Sequence, residues 1–199
     1  EASWFKDALA GHFLKGSGAD GTVVQDVYSD PDVKQIYGGD AMVLGFSAPV
    51  KDAQGKVIGV WNNRASFSLV EEIFATAKAT LAREGLSAAE LTLINKQGTL
   101  LVDCAGGNES GKTGFERDMN VLLQFNLAEA GVEAARALMR GESGNGVSTH
   151  ARRKVSQRAG YAASKGALGY PGLGWGVLVR VDEKEAMGAI RSTQQQVLW

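Results

Sequence analysis

Residues 106 to 114 read GGNESGKTG, and within them Gly106, Gly111, Lys112 and Thr113 stand at the spacing of a phosphate-binding loop. In such a loop the glycines let backbone N–H groups wrap phosphate oxygens, the lysine reaches the outer phosphates, and the threonine hydroxyl holds Mg²⁺. The spacing works only where a buried parallel strand precedes it and a helix starts at the lysine. Here the preceding run, TLLVD, is the second arm of a tight hairpin around NKQG, which makes it antiparallel. Gly114 also stands where that helix needs its first turn. A nucleotide-binding protein using Gly106 to Thr113 is therefore the alternative, and a plain glycine-rich loop the first expectation.

Other reactive side chains fall at no catalytic spacing. Ser148 and His150 lie close together, but no nucleophile elbow surrounds the serine, and His150 beside Arg152 and Arg153 reads as a surface residue. Glu71 and Glu72 read as helix capping and helix solvation. A single cysteine, Cys104, excludes an internal disulfide, and two distant histidines, His12 and His150, offer no zinc spacing. No enzyme, cofactor or metal site is expected.

Composition narrows the class further. A chain of 199 residues with 44% hydrophobic and 22% charged residues suits a folded protein. A net charge of −1, with ARRK as the longest basic run, gives nucleic acid no electrostatic footprint. No apolar run is long enough to cross a membrane, and no signal peptide opens the chain. Both ends read as cut from a longer protein: the chain opens without Met into SWFKDALAGHF and stops at IRSTQQQVLW inside an apparent helical pattern.

The elements that must position these residues follow from periodicity. Residues 3 to 13 carry Trp4, Phe5, Ala8, Leu9 and Phe13 at helical spacing. TVVQDVY alternates as a strand, and SDPDVKQIYGGD reads as a long turn-rich connection. AMVLGFSAPV and KVIGVWNNRASF form a hairpin around KDAQG. Ser68, with Glu71 three residues on, predicts a capping box for the helix that Gly85 ends. LTLINKQGTLLVD is a second hairpin. Residues 115 to 141 predict two helices broken near Asn126 or Gly131. VSTHARRK, RAGYAASKG and GWGVLVRV are three more strands, and Asp182 is expected to cap a last helix. The run GFSAPV, turn, VIGVWNNRASF, helix is echoed by GYAASK, turn, GWGVLVRV, helix. That echo predicts two copies of one antiparallel β unit, each with a helix leaving it, and a boundary near residues 76 to 88.

Four stretches together resemble a known family: WFKDALAG, VYSDPDVKQIYGGDAMVLGFSAPVKDAQGKVIGVW, LTLINKQGTLLVD and GYAASKGALGYPGLGWGVLVRVDEKEA. They resemble the double Cache extracytoplasmic sensor domains of bacterial methyl-accepting chemotaxis receptors and of related histidine kinases and cyclases. The resemblance covers nearly the whole chain. It implies an α+β fold of two PAS-like modules, each an antiparallel sheet flanked by helices. Residues 1–78 correspond to a membrane-distal, ligand-binding module, and residues 79–183 to a membrane-proximal one. Residues 184–199 correspond to a helix leading towards a transmembrane segment. The long N-terminal helix of the family has no counterpart here, and the apolar surface it covers would be open to a partner. The resemblance also implies periplasmic placement, a membrane-anchored parent, a homodimeric full-length receptor and a role in chemotaxis signalling. A variant role is sensing through a partner protein with no direct ligand.

The resemblance implies Trp4, Tyr28, Phe46, Trp61, Asn62 and Arg64 as candidate ligand-binding residues. Amino-acid-binding members carry an Arg where this chain has Ala2, and an Asp where it has Arg64, while Trp4 and Tyr28 match. Amino-acid specificity is therefore not expected, and Arg64 suits a carboxylate or other anion, which its planar fork binds bidentately. Arg64 otherwise solvates the strand end or pairs with a helix carboxylate. Alternation puts Val60, Asn62 and Arg64 on one face and Gly59, Trp61 and Asn63 on the other. The Asn62 and Arg64 face is the favoured one. Aromatics on strands are usually core, so only one or two of Tyr28, Phe46 and Trp61 are expected to touch ligand.

Overall fold

The structure is a computed structural model, and it describes residues 2–14, 21–104 and 117–187. By internal contacts the chain divides into two compact units: Glu1–Val70 with Lys165–Leu173, and Glu71–Ser164 with Gly174–Trp199. The architecture is α+β, with one antiparallel sheet in each unit.

In the first unit, helix α1 (Ser3–Ala10) packs on a sheet of order β1-β2-β3, formed by Val23–Ser29, Met42–Lys51 and Val57–Ser66. The helix is shorter than the pattern over residues 3 to 13 implies, because Gly11 takes a left-handed φ of 73° and closes it. Ala8, Val23, Val27, Met42, Val43, Leu44 and Phe67 are buried around this sheet. The connection SDPDVKQIYGGD holds a helix, α2 (Pro31–Tyr37), where the sequence pattern predicts only turns. Its start has a local cause: Asp30 accepts from the N–H groups of Asp32 and Val33, and Pro31 occupies the first position, where no N–H is needed.

Helix α3 (Ser68–Arg83) follows β3. The predicted capping box is not made. Ser68 N–H donates to Ser66 Oγ at 3.3 Å, while both Glu71 carboxylate oxygens take the Arg117 guanidinium at 2.7 and 2.6 Å. A bidentate ionic pair is stronger than a neutral cap, so Arg117 takes the carboxylate.

The second unit holds a sheet of order β5-β4-β8-β7-β6: Leu100–Cys104, Glu90–Ile94, Gly176–Asp182, Ser156–Ala163 and Gly144–Thr149. Every residue of β4 is buried. Of the predicted pair of helices over 115 to 141, the described residues form one, α4 (Glu133–Met139), whose Ala134, Ala135, Ala137 and Leu138 are buried. The residues before it instead run beside β5: Leu123 N–H donates to Leu100 O, Leu100 N–H to Phe125 O, and Leu127 N–H to Gly98 O. They cover the open edge of the sheet, and Leu123 at φ 62° breaks any helix there. Leu122 and Leu127 supply apolar burial from this segment without helical geometry. Residues 183–187 are helical directly after Asp182, as expected, and the Asp182 carboxylate accepts from Arg153 and Gln157 as well.

Candidate functional site

The first unit gathers polar side chains on one face of its sheet. The pairing of Gly45 with Arg64 and of Ser47 with Asn62 puts those four residues on the same side. On β1, Gln25 pairs with Gly45 and Tyr28 with Val43. Simple alternation would send Tyr28 to the face opposite Gln25. An extra residue between them, a β-bulge, returns Tyr28 to the polar face. Asp26 accepts from Val27 N–H at 2.7 Å within the bulge.

Asp30 is the centre of the cluster. Its Oδ1 accepts from the N–H groups of Asp32 and Val33, each at 2.9 Å, and its Oδ2 accepts from Tyr28 OH at 3.1 Å and Arg64 Nε at 2.5 Å. Burial alone would raise the Asp30 carboxyl, but the Val33 N–H, Arg64 and Tyr28 together hold it below the usual carboxylate range. Arg64 Nη1 donates to Asn62 Oδ1 at 2.8 Å, and Asn62 Nδ2 donates to Ser47 Oγ at 2.6 Å. The outer nitrogen, Nη2, lies 3.7 Å from Asp32, whose side chain is 76% exposed. Asp30 shifts Arg64 upward, so the guanidinium stays charged.

Of the six candidates, Tyr28, Asn62 and Arg64 share this face. Phe46 and Trp61 fall on the opposite one, since Phe46 pairs with Asn63 and Ala48 with Trp61. Trp61 is 64% exposed there, and its indole N–H donates to Asn63 Oδ1 at 2.9 Å. Trp4 lies on α1, half-buried, with its ring edge-to-face against Phe5 at 5.8 Å. Asp30, Ser47 and Gln25 are members of the face that sequence reasoning missed. The run Asp30-Pro31 carried the capping signature for Asp30, but the partnership of Asp30 with Arg64, 34 residues away, has no local signal.

A second polar cluster lies inside the other unit. Arg180, 2% exposed, donates to Thr92 Oγ1 at 2.7 Å and stands 3.4 Å from Glu90. Arg153 bridges Glu90 and Asp182, and Arg152 pairs with Asp103. His150, expected at the surface, is 5% exposed. Its Nδ1 accepts from the backbone N–H groups of Arg152 and Arg153 at 3.2 and 2.9 Å, and its Nε2 lies 3.6 Å from Glu90. Three carboxylates and three guanidinium groups balance here, which makes an ion-pair network rather than a catalytic arrangement. Among the described residues no group of His, Cys, Asp and Glu could hold a metal ion. The phosphate-loop residues Gly106 to Thr113 lie outside the described residues; β5, which leads to them, is antiparallel to β4.

No protein-family model matches the sequence, and no curated protein matches it. Solved structures do. The periplasmic sensory domain of the Campylobacter jejuni chemoreceptor Tlp1 is similar at a TM-score of 0.61 and 17% identity, over 94% of this chain and 57% of that one. The extracellular domain of a putative histidine kinase matches at 0.57 and 11%, over 96% and 57%. The ligand-binding domain of the Pseudomonas aeruginosa amino acid chemoreceptor PctB, in complex with L-Arg, matches at 0.56 and 15%, over 98% and 60%. The chain thus has the α+β fold of extracytoplasmic sensory domains, and it spans 57 to 60% of the length of these structures. Among the described residues no helix is long and apolar enough to cross a membrane.

Proposed function

We propose that this chain is the extracytoplasmic ligand-sensing part of a membrane-anchored bacterial receptor, and that its first unit takes a small carboxylate or other anion at Arg64. The observation that supports this most directly is the polar sheet face of the first unit, in a chain with the fold of sensory domains. Asp30 and Asn62 hold the Nε and Nη1 edges of the guanidinium, which fixes its plane, while Nη2 faces the exposed carboxylate of Asp32. A guanidinium already oriented loses little conformational freedom when an anion arrives, so it recognises the ligand's charge at low entropic cost. Tyr28 and Trp4 would border the ligand's apolar part.

The first unit is accordingly the membrane-distal module, and the second unit passes the signal towards the membrane. The neighbours' ligand-binding role favours sensing over enzymatic chemistry, and a receptor of this kind works in chemotaxis or an allied signalling pathway as a homodimer.

A thermal-shift screen of small carboxylates tests this, because a ligand that binds only the native state raises apparent stability by mass action. Carboxylates are expected to raise Tm in the parent domain, and Arg64→Ala to weaken binding about thirtyfold or more in calorimetric titration. Binding undiminished in Arg64→Ala removes Arg64 from the site. Silence across the screen favours sensing through a partner protein. Stabilisation by Mg-ATP that vanishes in Lys112→Ala favours a nucleotide site.

A further inference from the structure

We infer that Gln25 is a specificity residue of this face and that the ligand carries a hydroxyl beside its anionic group, making it a hydroxycarboxylate rather than a plain or an amino carboxylate. The inference rests on the anion site at Arg64 proposed above.

Three residues stand in a row across the sheet: Gln25 on β1 pairs with Gly45 on β2, and Gly45 with Arg64 on β3. All three are on the polar face, and the middle one has no side chain. The Gln25 side chain lies over that gap: a Cβ added at Gly45 would meet Gln25 Oε1 at 2.6 Å and Gln25 Cβ at 3.2 Å. The amide therefore reaches along the row towards β3. Gln25 Oε1 is buried and has no hydrogen-bond partner among the described residues. A buried acceptor left unpaired is costly, so the site is poised to receive a donor.

The donor's chemistry follows from the neighbours. An ammonium needs an anionic partner to offset its desolvation. Asp30, the buried carboxylate at hand, already accepts four hydrogen bonds, two on each oxygen. The adjacent Arg64 guanidinium repels a second cation. A neutral hydroxyl meets none of these objections: it donates to Gln25 Oε1 while the ligand's carboxylate faces Arg64 Nη2. Two strand spacings, about 10 Å, separate the Gln25 and Arg64 backbones, and the two side chains close that span to the size of a small acid.

Matched acids differing only in a hydroxyl provide the test: L-malate against succinate and L-lactate against propionate, titrated calorimetrically into the 199-residue chain. In at least one pair the hydroxy acid is expected to bind about tenfold tighter, the worth of one well-made hydrogen bond. Gln25→Met, close in shape but without the carbonyl acceptor, should erase that preference by weakening the hydroxy acid more than its plain counterpart. Gly45→Ala, which displaces the amide without altering its chemistry, should do the same. Arg64→Ala should weaken both members of the pair alike. Equal binding of hydroxy acid and plain counterpart in both pairs in the parent, or a preference that survives in both Gln25→Met and Gly45→Ala, overturns the role of Gln25 and leaves the anion site standing. Binding of none of the four acids overturns the anion site itself and the hydroxyl inference with it.

Discussion

Asp30 holds the first turn of α2, the phenol of Tyr28 and the guanidinium of Arg64 at once. Its removal leaves a half-buried guanidinium without its closest partner and uncaps a helix, so Asp30→Ala is expected to destabilise the first unit by about 3 to 5 kcal/mol. Chemical denaturation followed by hydrogen exchange in β1 to β3 measures this. A loss below about 1 kcal/mol would mean that the pair behaves like an exposed one. His150 makes the opposite kind of prediction, one of pH. Burial pushes its imidazole below the ordinary 6.5; Glu90 pulls it up, while Arg180, Arg153 and Arg152 push it further down. A proton on Nδ1 would also displace the two backbone donors it accepts from. The unfolded state then binds the proton that the folded state refuses, so stability is full above the unfolded pKa of about 6.5 and falls as pH drops below it. Stability of the second unit should decline from about pH 7.5 to pH 5.5. His150→Asn, whose side-chain oxygen can accept the same two N–H groups but does not titrate, should flatten that decline. An unchanged slope would show that His150 is not the source of the acid sensitivity.

Helix α4 lies so close to β8 that a Cβ on Gly176 would meet Leu138 Cδ1 at 2.7 Å and Leu138 Cβ at 2.9 Å. The backbone of Gly176 is not in the left-handed region, so Gly176→Ala tests packing alone. Overpacking of this kind costs about 1 to 3 kcal/mol, because the core is dense and Leu138 is fully enclosed. Leu138→Ala removes the Cδ contacts but keeps the Cβ contact. The double variant should therefore be less destabilised than the sum of the two single ones, with only part of the loss recovered. Strict additivity in urea denaturation would show that α4 shifts freely away from the strand.

Taken as a whole, the chain leaves its first unit after Val70, returns for Lys165–Leu173 and leaves again. Tyr170, in the returning segment, is shifted upward by burial and by the charge of Asp26 on β1. The segment is tightly folded: Ala167 and Tyr170 exchange backbone hydrogen bonds, and Gly166 at φ 75° has no room for a side chain against Tyr170 O. Its contacts place it with β1 to β3 although its covalent neighbours are β7 and β8. Amide protons in 165–173 should thus gain protection together with β1 to β3 when a carboxylate stabilises the first unit, since local opening follows contacts rather than sequence. Protection that follows β7 and β8 instead would separate the segment from the ligand-binding unit.

Local physics is what the sequence alone determined. Period-two runs marked the strands, turn chemistry at KDAQG and NKQG marked the two hairpins, and alternation along β3 correctly separated Asn62 and Arg64 from Trp61. The family resemblance assigned the sensory fold that the solved structures bear out. The tertiary structure decided which partners the charges found. Arg64 found Asp30 across 34 residues, Glu71 left its own helix end for Arg117, and His150 went inside because three arginines and three carboxylates close around it. The bulge that turns Tyr28 onto the polar face, and the edge of β5 that holds residues 121 to 127 out of a helix, were likewise settled by pairing with distant strands. Propensity and periodicity act within a few residues, whereas a buried charge or an open sheet edge is satisfied by whatever the folded chain brings beside it.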